Sequence, residues 1–165
     1  KIEDGVYAYN KNLADIQEIV ESVVLYFKDK IKSKKIKFEF ERPSERFPKI
    51  MIDKEKIESV IQNLLDNALK YTGNGGEIKV SLKINDKNIE FRIGDSGIGI
   101  PNSQQGKIFS KFFRAGNANK MEATGSGLGL FIAKNIIEDH NGSIRFESEE
   151  NKGSVFVFTL PIEGV

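Results

Sequence analysis

Between Asp53 and Thr72 the chain runs through twenty residues without a glycine or a proline. Asp53 offers an N-cap oxygen at the start, so the spacing predicts a single helix of about five turns. Ile57, Ile61, Leu64 and Ala68 recur on one stripe of that helix at about 100° per residue. Asn63, Asn67 and Lys70 share a second stripe roughly a quarter-turn away, at the border of the core. A helix with one apolar stripe needs a second layer to cover it. Asparagine is a mediocre helix former, because its amide competes for backbone partners. Two of them a turn apart, followed by a lysine, read either as polar residues edging a packed helix or as ligand groups.

The flanking sequence supplies that second layer. From Asn12, the residues Leu13, Ile16, Val20, Val23 and Phe27 fit an amphipathic helix, with Asn12 and Asp15 resembling a capping pair. Lys28 to Lys35 reads as a solvated lysine-rich turn, and Ile36, Phe38 and Phe40 alternate with Lys37 and Glu39 as a half-buried strand. Pro43 and Pro48 bracket a loop, and Ile50-Met51-Ile52 is a short apolar strand leading into the asparagine helix. Beyond Gly73-Asn74-Gly75-Gly76, two alternating strands (Ile78, Val80, Leu82, Ile84, then Ile89, Phe91, Ile93) meet at an Asn85-Asp86-Lys87-Asn88 hairpin. A third helix carries Leu130, Ala133, Ile136 and Ile137 and stops at His140-Asn141-Gly142. Ser143 to Ser148 and Ser154 to Leu160 form two final strands. Three helices and about five strands add up to an α+β, two-layer α/β sandwich.

At 165 residues the chain is one domain with a real core, and twelve phenylalanines without tryptophan predict a Phe-rich interior. A net charge of +1 points to no nucleic-acid or membrane partner, and the absence of cysteine excludes disulfides and thiolate metal sites. No apolar run approaches the ~18 residues of a membrane span. Residues 1–11 are expected to be a linker or the tail of a preceding element, and 12–165 the domain.

Two glycine clusters carry the chemistry. Asp95 ends a strand and leads into Gly97 and Gly99, where a flat ligand can approach the backbone closely. A carboxylate there can accept from an exocyclic amine and so select adenine over guanine, or simply cap a tight turn. Gly125, Gly127 and Gly129 run straight into a helix, whose unpaired amides and dipole favour a phosphate chain; a hinge is the alternative. No P-loop and no dinucleotide fingerprint is present. Asp95-Ser96-Gly97 lacks the accompanying loop and strand lysine of protein kinases.

The order of these parts resembles the catalytic, ATP-binding domain of sensor histidine kinases, in the GHKL (HATPase_c) group, over about Leu13 to Pro161. The N box is Asn63-Leu64-Leu65-Asp66-Asn67-Ala68-Leu69-Lys70-Tyr71-Thr72, and the first glycine box runs from Asp95 to Pro101. The phenylalanine box runs from Lys107 to Arg114, and the second glycine box from Gly125 to Leu130. Ser96 stands where asparagine is frequent, and Asn141 where a glycine is common.

That resemblance implies a mixed sheet packed on three helices, with an ATP lid from Asn102 to Thr124. ATP and Mg²⁺ are the implied cofactors. Asp95 resembles the reader of the adenine amino group; Asn67, assisted by Asn63, the Mg²⁺ ligand; Lys70 and Arg114 the cations on the phosphates. Tyr71 is expected beside the base, with Gly97, Gly99, Ile100, Gly125, Gly127, Leu128 and Gly129 lining the nucleotide site. Asn63, Asn67, Lys70 and Arg114 are the expected catalytic residues. Where ATP-hydrolysing members of the group place a glutamate, Asn63 stands here, and an amide takes no proton. That suits transfer to a neutral imidazole. His140, the sole histidine, is expected to cap a helix instead of accepting phosphate. The implied partners are a separate dimerisation domain bearing the acceptor histidine and, indirectly, a response regulator, with this domain monomeric and cytoplasmic. A GHKL-type protein serine kinase and a non-catalytic ATP sensor are the alternatives.

Overall fold

The computed structural model describes residues 8–121 and 127–162. The long helix forms as expected: α3, Lys54–Tyr71, is capped by Asp53, whose Oδ1 accepts from the Lys56 amide at 3.2 Å. Ile57, Ile61, Leu64 and Ala68 are buried along it. It contacts both α1, Ile16–Tyr26, and α5, Gly129–Asp139. These three helices carry buried apolar stripes, whereas α2, Lys28–Ser33, buries nothing.

The helices cover one face of a five-stranded sheet ordered β2-β4-β5-β7-β6. Its strands are β2 (Lys37–Glu41), β4 (Glu77–Asn85), β5 (Asn88–Asp95), β6 (Ser143–Glu149) and β7 (Gly153–Pro161). β2 runs parallel to β4, with Phe38 opposite Ile78, and every other pairing is antiparallel. The sheet is therefore mixed, as the resemblance implied. Alternation decides its faces. Ile78, Val80, Leu82, Ile89, Phe91 and Ile93 point to the helices and are buried. Phe91 stacks on Phe158 at 4.8 Å between centroids in the middle of that core. The β4–β5 turn falls where expected, with Asp86 at φ 54°.

The N-terminal side differs from expectation. Asn12–Ala14 is not a helix start but a strand, β1, paired antiparallel with β3, Ile50–Ile52. Leu13 is consequently 63% exposed, and Asp15, not Asn12, caps α1 by accepting from Gln17 N–H at 2.9 Å. Phe27 lies just past the end of α1, at its C-cap. The lysine-rich segment is helical as α2, and the long loop after Pro101 contains a 3₁₀ helix, Asn102–Lys107, and α4, Gly116–Met121.

The segment before β1 is bonded to the ends of two helices. Asn10 N–H donates to Asp53 Oδ2 at 2.9 Å, Tyr9 Oη donates to Asp139 Oδ2 at 2.7 Å, and Lys11 Nζ donates to the Asp139 carbonyl at 2.9 Å. His140 closes α5 as its C-cap residue, as expected for it.

Candidate functional site

A cavity of about 610 Å³ opens where the second half of α3 faces the end of β5. Asn63, Asn67, Lys70 and Tyr71 reach it from α3, and Asp95, Gly99 and Ile100 from β5 and the loop that follows. Arg114, Gly127 and Gly129 complete the lining. The helical period explains the first group: their stripe lies beside the buried one, so it meets the edge of the core where the cavity begins.

Asp95 is held at the cavity floor. Its Oδ1 accepts from Gly97 N–H at 2.9 Å. Burial pushes its carboxyl up to about 6, against the opposing pull of the Gly97 and Ser154 amides. The loop beyond it is fixed by close approach. Ile98 N–H donates to the Tyr71 carbonyl at 3.1 Å, tying the loop to the end of α3. Gly99 has φ +64°, and a β-carbon there would lie 2.7 Å from the Glu149 carbonyl carbon, so only glycine fits. Gly97 is packed on the Tyr71 backbone and is not part of the cavity lining.

Asn63 lies against the start of α5: a β-carbon on Gly129 would sit 2.7 Å from its Cγ. Gly127, at φ +69°, packs on the Phe112 backbone. Leu128 is the N-cap residue of α5 and does not line the cavity. Gly125 lies outside the described residues. Lys70 Nζ pairs with Asp66 Oδ2 at 3.0 Å, and Arg114 Nη2 donates weakly to Tyr71 Oη at 3.4 Å. Asn67 also lines the cavity.

Sequence reasoning missed Asn117 and Ser154 in this lining, and Ser148 and Gln105, which hold its loop at Ile100. Asn117 donates from Nδ2 to the Gly99 carbonyl at 2.9 Å, while its buried Oδ1 has no partner among the described residues. Ser154 lies opposite Asp95 in the β5–β7 register. Ser148 Oγ accepts from Ile100 N–H at 2.8 Å, and Gln105 Nε2 donates to the carbonyls of both Ile100 and Ser148. Nothing in the local sequence marks these residues, because each is recruited by a contact outside its own element, 18 positions away for Asn117 and more than forty for Ser148 and Gln105.

Residues 52–164 match the model of the histidine kinase-, DNA gyrase B- and HSP90-like ATPase family. The chain belongs to that ATP-binding family. Within it, the chain is similar to sensor histidine kinases. It is 33% identical over 163 residues to sensor histidine kinase WalK of Bacillus subtilis (strain 168), covering 98% of this chain and 26% of WalK. It is 36% identical over 155 residues to adaptive-response sensory kinase SasA of Synechococcus sp. (strain CC9902), covering 93% of this chain and 40% of that protein. The chain thus spans well under half the length of these relatives. Its fold matches the nucleotide-free catalytic domain of histidine kinase ThkA with a TM-score of 0.80 at 35% identity, over 92% of this chain and 95% of that one. ThkA in complex with response regulator protein TrrA matches with a TM-score of 0.75 at 33% identity, over 92% of this chain and 41% of that one.

Proposed function

We propose that this domain binds ATP with Mg²⁺ and hands the γ-phosphoryl group to a histidine on a separate dimerisation domain, which then serves a response regulator. One observation carries the reading: the amide stripe of α3 and the Asp95 carboxylate open into the same cavity. Asp95 accepts from the adenine amine at the floor, beside Tyr71. The start of α5, with Gly127 and Gly129, receives the phosphate chain at the positive end of the helix dipole.

Mg²⁺ fits the donor set. Among the described residues no group of three His, Cys, Asp or Glu is gathered, and Asn67, whose side chain carries a neutral amide oxygen, is one of the lining residues. Mg²⁺ commonly takes one or two protein oxygens and completes its shell with phosphate and water. When bound, it would neutralise charge on the phosphate oxygens. Asn67, assisted by Asn63, would hold it, while Lys70 and Arg114 supply cations to the same phosphates. The incoming imidazole nitrogen forms a bond to the γ-phosphorus as the bond to the β–γ bridging oxygen breaks, leaving ADP and phosphohistidine. Asn63 takes no proton, and a neutral imidazole attacks with a lone pair already free.

The acceptor lies elsewhere than His140, which is 3% exposed with both ring nitrogens engaged. Labelled ATP, mixed with this domain and a separately produced dimerisation domain carrying the acceptor histidine, should give acid-labile phosphohistidine. Acid-stable label would identify a serine kinase, and binding without transfer an ATP sensor; either result overturns the proposal.

A further inference from the structure

One carboxylate of the cavity lining, Asp66, serves two ammonium groups. Lys70 Nζ lies 3.0 Å from Asp66 Oδ2, and Lys30 Nζ lies 3.3 Å from Asp66 Oδ1. Lys70 and Asp66 sit on successive turns of α3, which explains their pairing locally. Lys30 arrives from α2, thirty-six residues away in sequence. Its placement is enforced by Lys34, one turn further along the chain. Lys34 Nζ donates to the carbonyls of Leu69 and Thr72, the latter at 2.7 Å. Those carbonyls close α3, so Lys34 satisfies acceptors that a helix end leaves open. Two lysines four residues apart thereby lay α2 along the last turn of α3, and the lysine-rich segment is more than a solvated rim.

We infer that Asp66 and Lys30 are positioning residues for Lys70: Asp66 parks the Lys70 ammonium at the cavity wall, and Lys30 keeps Asp66 neutralised when Lys70 turns to a polyphosphate. The inference rests on the nucleotide reading of the cavity given above. Without Lys30, Lys70 becomes the sole ion-pair partner of Asp66 among the described residues. Its departure would then strand a carboxylate beside incoming phosphate oxygens. The base plays no part in this exchange, so the ligand chemistry concerned is the phosphate chain alone.

The test measures dissociation constants for Mg·ATP and for adenosine at fixed ionic strength. The proteins are the wild type, Lys30→Met, Asp66→Asn and the double variant. Lys30→Met should weaken ATP binding by about fivefold, the scale of a partly exposed ion pair, and leave adenosine binding unchanged. In the Asp66→Asn background the same replacement should have no further effect, since no carboxylate remains to be stranded. An equal loss for ATP and adenosine would mean that Lys30 only supports the fold. An equal loss in both backgrounds would mean simple long-range attraction, and no loss would mean no role; each of these overturns the inference. A wild-type domain that binds neither ligand would instead overturn the nucleotide reading itself, and the inference with it.

Discussion

His140 Nε2 accepts the backbone N–H of Asp53 at 3.0 Å, while its Nδ1 lies 2.7 Å from the Ile136 carbonyl. The second contact requires Nδ1–H, which fixes the neutral tautomer with Nε2 free to accept. The ring thus joins the C-terminal end of α5 to the N-cap of α3. Ten residues along α3 and eleven back along α5, Asn63 meets Gly129. α5 therefore meets α3 at both of its own ends, through His140 at the head of α3 and through Gly129 at Asn63 in its middle.

His140→Leu should cost about 1–3 kcal/mol, because it leaves the Asp53 N–H buried without a partner. Urea denaturation at pH 8 measures this. Burial, the leading cause, holds the His140 imidazole below its usual range. The folded state then binds the proton less readily than the unfolded one. The wild type should lose stability as pH falls below the ordinary imidazole value, towards the lowered folded one, and His140→Leu should flatten that part of the pH profile.

Asp95→Asn should weaken ATP binding by about tenfold or more and reduce the preference for adenine over guanine, through loss of a charged acceptor. The wild-type carboxyl titrates at about 6, so ATP affinity should fall as pH drops from 7.5 to 5.5. Calorimetric titration of both proteins separates this from protonation of the nucleotide, because that contribution is shared by the variant.

Gly129→Ala should displace the Asn63 amide, since the new β-carbon would lie 2.7 Å from Asn63 Cγ. The expected result is weaker Mg·ATP binding with a stability loss of about 1–3 kcal/mol. Thermal melts with and without nucleotide read both effects.

Gly153→Ala acts on the other wall. Gly153 has φ +118° and packs on the carbonyl of Asp95, where a β-carbon would lie 2.9 Å from the Asp95 carbonyl carbon. The strain should cost about 1–3 kcal/mol and shift the Asp95 titration. Carboxyl resonances followed by NMR against pH would detect the shift.

In the core, Phe91→Ala removes a fully buried ring from the Phe91–Phe158 stack and should cost about 3–5 kcal/mol by chemical denaturation.

What the chain disclosed by itself follows from how local each signal is. α3 was legible because cap, stripe and uninterrupted run all lie within twenty residues, and the β4–β5 hairpin because its turn chemistry is contiguous. β1 was not: Leu13 fits the helical spacing of Ile16 and Val20, and only the distant pairing of Asn12 with Ile52 draws it into a strand. α2 shows no apolar period because it buries nothing; it is held by Lys34 on the end of α3. In the site, Asn63, Asn67, Lys70 and Asp95 were found by motif and lie together. Lys30, Asn117 and Ser148 were invisible, since each becomes relevant only through a partner remote in sequence.

The bonds of Tyr9, Asn10 and Lys11 have a mechanical consequence. This short tether is fastened to Asp53 at the head of α3 and to Asp139 at the tail of α5. A displacement of residues 9–11 would therefore bear on the head of α3 and the tail of α5 together, the two helices that meet again at Asn63 and Gly129.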